Sequence, residues 1–231
     1  MRLRIRLDTE GIQLPVDYSR GIQAFIYSSL SINKAKALHD SEHGIIKPFV
    51  FSNIQGPFSI SGHTITFTDS AVLEIASSEL TILNDLYTLL KRTGKIDIHG
   101  HQIDILESEA ITNPVCKGAV TYRTISPVTV YDTNPEGHHY FYSPEDEGYA
   151  QMIFQNVRRK YQQVYGEETS DFFHIYMPRN IRKRICKYKG FLYTAYDFTM
   201  KINTSEKIHN LIMDLGIGAR NAAGFGMIKR I

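Results

Sequence analysis

The chain lacks most features that would mark a secreted, membrane-spanning or metal-held protein. Its cysteines are Cys116 and Cys186 alone, without CxxC spacing, which argues against a disulfide framework and a cysteine-based zinc site. No apolar run approaches the roughly 20 residues a membrane helix needs. The opening Met1-Arg2-Leu3-Arg4-Ile5-Arg6-Leu7 alternates charged and apolar residues where a signal peptide would carry an apolar core. A cytoplasmic location and no membrane partner are therefore expected. The histidine pairs His99/His101 and His138/His139 read as hairpin ends and lack third and fourth ligands at metal-binding spacing. Neither a metal nor a cofactor is expected.

The 231 residues, 42% of them hydrophobic, suffice for one large domain or two of ordinary size. Net charge is only +2, but it is unevenly distributed. Residues 1–115 hold 10 Lys/Arg against 13 Asp/Glu, and residues 116–231 hold 16 against 11. The positive charge concentrates in Arg179, Arg182, Lys183, Arg184, Lys187 and Lys189, a run with no acidic residue. Such a run is often a solvated face; beside Tyr188 and a glycine-rich backbone it suits RNA phosphates and unstacked bases.

The most informative stretch is Gly216-Ile217-Gly218-Ala219-Arg220-Asn221-Ala222-Ala223-Gly224-Phe225-Gly226. Glycine adopts positive φ without steric cost and lets another backbone approach closely, so the cluster marks a tight loop with room for a ligand. Before it, Ile208, Leu211, Ile212 and Leu215 fall on one helical face, with Thr204 or Ser205 as N-cap and Gly216 at the C-terminal end. Phosphate-binding glycine loops follow a strand and open a helix. Here the order is helix, loop, strand, which excludes a Rossmann or P-loop reading.

Periodicity organises the rest. Residues 2–7 read as a strand with Leu3, Ile5 and Leu7 on one face and Arg2, Arg4 and Arg6 on the other. A helix is expected over 20–31 and a shorter one over 35–40. Strands are expected at 48–54 and 63–68, a helix over 72–90, and strands at 95–99 and 102–107. Strand, helix, strand, strand, helix, strand is the ferredoxin-like order. Pro114 to Gly118 offers a boundary, giving domains 1–115 and 116–231. In the second, strands at 128–131 and 139–142, a helix over 144–165, strands at 172–177, 181–188 and 191–202, the helix 205–215 and a last strand fit a modified ferredoxin-like unit.

The C-terminal arrangement, Gly-x-Gly, five residues, then Gly-Phe-Gly and a final strand, resembles the glycine-rich loop of the RAMP superfamily of CRISPR RNA-binding proteins. The closer match is to the sixth Cas family, endoribonucleases that cut CRISPR precursor RNA within its repeats. The resemblance covers essentially the whole chain and implies an α+β fold of two tandem ferredoxin-like domains. Family members form the cleavage site from a tyrosine on the first helix, a histidine after it in a Leu-His context, and a lysine before a Phe-x-[Phe/Tyr]-Ser strand. The matching positions are Tyr27 in Phe25-Ile26-Tyr27, His39 in Ala37-Leu38-His39-Asp40, and Lys47 before Phe49-Val50-Phe51-Ser52, with His43 a rival for the histidine.

The implied activity is metal-independent. The RNA 2′-hydroxyl attacks the adjacent phosphorus, leaving a 2′,3′-cyclic phosphate and a 5′-hydroxyl, with histidine suited to proton transfer and lysine to phosphorane charge. Repeat RNA, as hairpin or single strand, is the implied partner. Contacts are expected from the basic run at 179–189 and from Gly216, Gly218, Arg220, Asn221, Gly224 and Gly226. A homodimer and association with an effector complex both stay open, as does a non-catalytic RAMP subunit of such a complex.

Overall fold

The alternation at residues 2–7 has the expected consequence. The structure, a computed structural model describing residues 1–39 and 45–231, begins with β1 (Arg2–Leu7). The first half continues with β2 (Gln13–Pro15), α1 (Ser19–Ser29), α2 (Ile32–His39), β3 (Phe49–Phe51), β4 (Phe58–Ser61), β5 (Thr64–Phe67) and β6 (Ala71–Ser77). It ends with α3 (Leu80–Thr93), β7 (Lys95–Ile98) and β8 (His101–Ile111). The main sheet has the order β3-β6-β1-β8-β7, with β1 antiparallel to both neighbours. With α1 and α3 on one face, this is a ferredoxin-like unit. Ile22, Phe25 and Ile26 of α1 and Ile82, Leu83, Leu86 and Leu90 of α3 close over Leu3, Ile5, Leu73 and Ile75. Each such side chain contributes roughly 1.5–3 kcal/mol on full burial.

Two expectations fail here, for one reason. There is no helix over 72–90: Ala71–Ser77 is a central strand and the helix starts at Leu80. The strand is buried almost throughout, because Leu73 and Ile75 face α1 and α3 while Ala76 packs with Val50, Ile125 and Met227 on the other face. Burial on both faces removes the period-2 alternation that identifies a strand. Conversely, residues 63–68, read as the third core strand, form β5 in a separate sheet of order β2-β5-β4.

The second half comprises β9 (Gly118–Thr124), β10 (Tyr131–Thr133), β11 (His139–Phe141), α4 (Tyr149–Tyr165), β12 (Phe173–Ile175), β13 (Arg179–Tyr188), β14 (Phe191–Thr204), α5 (Glu206–Leu215) and β15 (Ile228–Arg230). Its sheet runs β12-β14-β9-β15, with β13 also on β14, so one ferredoxin-like edge is shared by two strands. β9 carries no strong sequence signal, since Gly118, Thr121, Arg123 and Thr124 dilute its apolar residues, yet it is central. The molecule thus has two tandem ferredoxin-like units, the second modified. α5 has the expected cap, the Ser205 side chain accepting from the Ile208 N–H.

The halves meet on a buried charge cluster. Arg2 does not face solvent with Arg4 and Arg6, because the second half covers that end of the sheet. Its Nη1 lies 2.8 Å from Glu74 Oε2, its Nη2 donates to the Ile228 carbonyl, and Lys229 Nζ reaches Glu74 Oε1 at 3.2 Å. Burial pushes the Glu74 carboxyl upward in pKa, but Arg2 and Lys229 outweigh it and hold it below its ordinary 4.5.

Candidate functional site

Helix α1 buries Ile22, Phe25 and Ile26 and turns Tyr27 to the side, where it is half-buried against the start of β3. The Tyr27 ring meets Phe49 edge-on at 5.9 Å between centroids, and Lys47 Nζ lies 5.2 Å from its centre. The Tyr27 hydroxyl is buried without a hydrogen-bond partner among the described residues, and burial pushes its pKa up to about 12. Partial burial also draws the Lys47 amine below its ordinary value. Lys47 is fixed locally: its carbonyl accepts from the Phe49 N–H at 2.9 Å, and the Pro48 carbonyl accepts from Ser77 Oγ at 2.5 Å. Gln163 of α4 holds the preceding residue, accepting from the Ile46 N–H and donating to its carbonyl. His39 is the last residue of α2; its side chain and His43 lie outside the described residues.

The glycine loop is built around its own backbone. A Cβ on Gly226 would sit 2.0 Å from the Ile217 carbonyl oxygen, and one on Gly216 2.6 Å from that of Gly226. On Gly218 it would strike the Thr129 carbonyl, and on Gly224 the Phe51 ring of the first half. All four have positive φ, as does Arg220 at 60°. The buried Asn221 amide donates to the Ile217 and Phe225 carbonyls, pinning the loop from inside. Lys160 of α4, buried without an acidic partner among the described residues, donates to the Gly216 and Gly218 carbonyls at 2.7 and 3.2 Å. Burial, with Arg159 alongside, holds its pKa well below normal. Gln23 of α1 donates to the Ala222 carbonyl at 2.6 Å and accepts from the Tyr188 hydroxyl at 2.5 Å, joining loop, first helix and β13.

These contacts place the loop opposite Lys47 across a cleft of about 390 Å³ between the halves. Among the described residues its charged lining is all basic: Lys47, Arg159, Lys160, Lys189 and Arg220. The Arg220 guanidinium lies over the Tyr193 ring at 5.4 Å, and its Nε donates to the Tyr131 hydroxyl at 3.0 Å. A concave site whose charges share one sign concentrates anions. Chemically, it can seat a phosphate beside Lys47, whose backbone is fixed and whose amine lies over the Tyr27 ring.

The basic run is dispersed rather than gathered. Lys189 lines the cleft, at the turn between β13 and β14. Arg182, Lys183 and Lys187 project from exposed positions along the hairpin, whereas Arg184 Nε is 2.7 Å from Asp197. Arg179 borders a different hollow with Tyr176 and Lys201. Exposed Ile185, Phe191 and Leu192 stand between these charges. The sequence reading missed Gln23, Tyr131, Arg159, Lys160 and Gln163; the only signal was the basic triplet 158–160 within an amphipathic helix. Among the described residues no three His, Cys, Asp or Glu side chains gather as metal ligands, and no helix is long and apolar enough to cross a membrane.

A family profile described as CRISPR associated protein Cas6, C-terminal, matches residues 111–230. The chain is similar to the CRISPR-associated endoribonuclease Cas6 2 of Methanocaldococcus jannaschii, 25% identical over 229 residues that span 91% of this chain and 90% of that protein. It is also similar to the CRISPR-associated endoribonuclease Cas6 of Pyrococcus furiosus, 21% identical over 252 residues and 99% and 89% of the two chains. Among solved structures, a Cas6-related protein from Pyrococcus furiosus superposes with a TM-score of 0.85 at 22% identity, covering 100% of this chain and 98% of that one. A RAMP protein described as binding different RNA substrates gives 0.84 at 22% identity, with 100% and 99% coverage.

Proposed function

Because the chain belongs to the Cas6 family of CRISPR-associated proteins, we propose that it is an endoribonuclease that cuts CRISPR precursor RNA within its repeats, without a metal ion. The observation that carries this reading is that Lys47 lines the same basic cleft as the glycine loop, with its amine 5.2 Å from the centre of the Tyr27 ring. The names of the Methanocaldococcus and Pyrococcus relatives, both endoribonucleases, support it.

The chemistry follows from the substrate. RNA carries its own nucleophile: the 2′-oxygen bonds to the adjacent phosphorus, the bond from phosphorus to the 5′-oxygen breaks, and a 2′,3′-cyclic phosphate and a 5′-hydroxyl result. One proton leaves the 2′-hydroxyl and one reaches the 5′-oxygen. His39, at the end of α2, is assigned to proton transfer, since imidazole titrates near neutrality. Lys47 stabilises the extra charge on the pentacoordinate phosphorus, and removal of such a donor typically costs about 10²- to 10³-fold. Tyr27, with a pKa of about 12, remains protonated near neutrality and donates a hydrogen bond to a phosphate oxygen. Arg220, Lys189 and the hairpin of β13 and β14 hold the strand.

The test is cleavage of labelled repeat RNA in excess EDTA, beside the same RNA carrying one 2′-deoxynucleotide at the cut. Wild type is expected to cut only the all-ribose RNA, and His39→Ala to lose at least about 10²-fold. Tight binding without cutting would replace this reading with a non-catalytic RNA-holding subunit, and cutting that survives His39→Ala would move the role to His43.

A further inference from the structure

Beyond the cleft facing Lys47 lies a second hollow of about 400 Å³. The two share Tyr131, Asn156, Arg159, Gly218 and Ala219, so they form one groove passing over the glycine loop. Each part falls in the size range of about 300–1,000 Å³ of small-molecule sites. On α4 the two hollows share Asn156 and Arg159. Lys160 and Gln163 continue that helix face, the four standing at i, i+3, i+4 and i+7, while Ile153, Val157 and Tyr161 fill the core behind them.

The groups along this face have different states. Gln163 is engaged with Ile46, and Lys160 with the loop carbonyls. Arg159 is exposed and makes no ion pair among the described residues, although Arg158 beside it pairs with Glu168. The Asn156 Oδ1 is buried without a hydrogen-bond partner among the described residues, a costly state for a desolvated acceptor. Across the groove stands Tyr131, its ring braced by His139 and Phe141 at 4.7 and 5.5 Å and its hydroxyl held by Arg220. An unspent guanidinium, an unspent amide and a braced aromatic ring around one hollow are the elements that take a nucleotide's phosphate, base edge and base face.

We propose that Tyr131, Asn156 and Arg159 form a second nucleotide subsite, which takes an unpaired nucleotide of the RNA strand next to the one whose phosphate meets Lys47. Its base packs against Tyr131 with an edge on the Asn156 amide, and its phosphate pairs with Arg159. From Asn156 to Gln163, which anchors the segment before Lys47, is about 10 Å along the helix axis (seven residues at about 1.5 Å each). The helix therefore sets the distance between the nucleotide that is read and the bond that is cut. The subsite rests on the RNA-cutting reading for its strand, but its own claim concerns binding.

The test is an abasic scan of repeat RNA, with affinity read by fluorescence anisotropy in EDTA; cutting is blocked by a 2′-deoxynucleotide wherever wild type is found to cut. In wild type, an abasic nucleotide at one position should weaken binding by about 5- to 100-fold, the size of one aromatic-base stack. In Tyr131→Leu the same abasic RNA should bind no worse than intact RNA, whereas Tyr131→Phe, which keeps the ring, should keep the abasic penalty. Arg159→Gln should weaken every RNA alike and reduce the salt slope by about 0.7, one single-strand phosphate. An abasic penalty that is as large in Tyr131→Leu as in wild type, or an unchanged salt slope in Arg159→Gln, would overturn the subsite. The exposed Arg159 position keeps the test valid should Tyr131→Leu fail to fold. RNA that is bound with a position-specific penalty but never cut would refute the nuclease reading and leave the subsite standing.

Discussion

Gln163 grips Ile46 from both sides, its side-chain carbonyl accepting the Ile46 N–H at 2.7 Å and its amide donating to the Ile46 carbonyl at 2.5 Å. A helix of the second half thereby sets the position of Lys47, a residue of the first half. Gln163→Ala frees that segment without touching any group assigned to the reacting phosphate. The expected result is a 10- to 100-fold fall in single-turnover cleavage rate, the cost of a displacement of about 1 Å, with RNA affinity changed less than threefold. In a Lys47→Ala background the same change should do almost nothing, because the two act through one amine. Additive losses would refute the positioning role.

Tyr27 offers a sign test that separates activity from folding. Its hydroxyl is buried and unpartnered among the described residues, so Tyr27→Phe removes a desolvated polar atom and keeps the ring against Phe49 and Lys47. Stability should hold or rise by up to about 1 kcal/mol, read as a denaturation midpoint, while cleavage falls at least about tenfold. A variant that cuts normally would remove Tyr27 from the mechanism.

Gly226 should tolerate no side chain. A methyl group there would lie 2.0 Å from the Ile217 carbonyl oxygen at a φ of +78°, so Gly226→Ala must displace backbone. A loss of at least about 2 kcal/mol is expected, measured by urea unfolding. The change should also weaken RNA binding, since Arg220 and the Asn221 pins lie within the displaced turn.

Glu74 predicts how the junction between the halves responds to acid. Its carboxyl is held below 4.5 in the folded protein despite burial, so it contributes stability above about pH 4.5 that is lost as pH falls through the lowered value. Glu74→Gln should cost about 3–5 kcal/mol at neutral pH, because Arg2 and Lys229 lose a buried counter-charge. Its stability should also fall less steeply than that of wild type below pH 4.5. Parallel profiles for the two proteins would show that the carboxylate carries none of the acid response.

What the sequence revealed depended on whether the governing physics was local. The glycine loop, the cap of α5 and the alternation of β1 are set by neighbouring residues, and each is visible as a short pattern. Tyr27 and Lys47 stand in short motifs, and the structure brings them into contact. Strand β6 was misread because its second buried face exists only after the other half has packed on it. The wall of α4 was illegible for the converse reason. Asn156, Arg159 and Gln163 look like an ordinary wetted helix face until residues 45–47 and the glycine loop are laid against it. Nor could the basic run be divided by sequence, since the register of β13 on β14 decides that Arg184 meets Asp197 while Lys189 reaches the cleft.

The cluster at Glu74 also imposes an order of assembly. Arg2 and Glu74 come from neighbouring strands of the first sheet, but Lys229 is 155 residues further along the chain. A nascent polypeptide can form the first sheet early, yet the carboxylate gains its second cation, and the exposed faces of Val50 and Ala76 gain Met227, only once β15 has emerged and docked. Until then the first half carries an apolar patch beside a carboxylate whose cation is Arg2 alone. β15 and the Met227 before it therefore close the seam between the two halves, and a product shortened before Met227 would leave that seam uncovered.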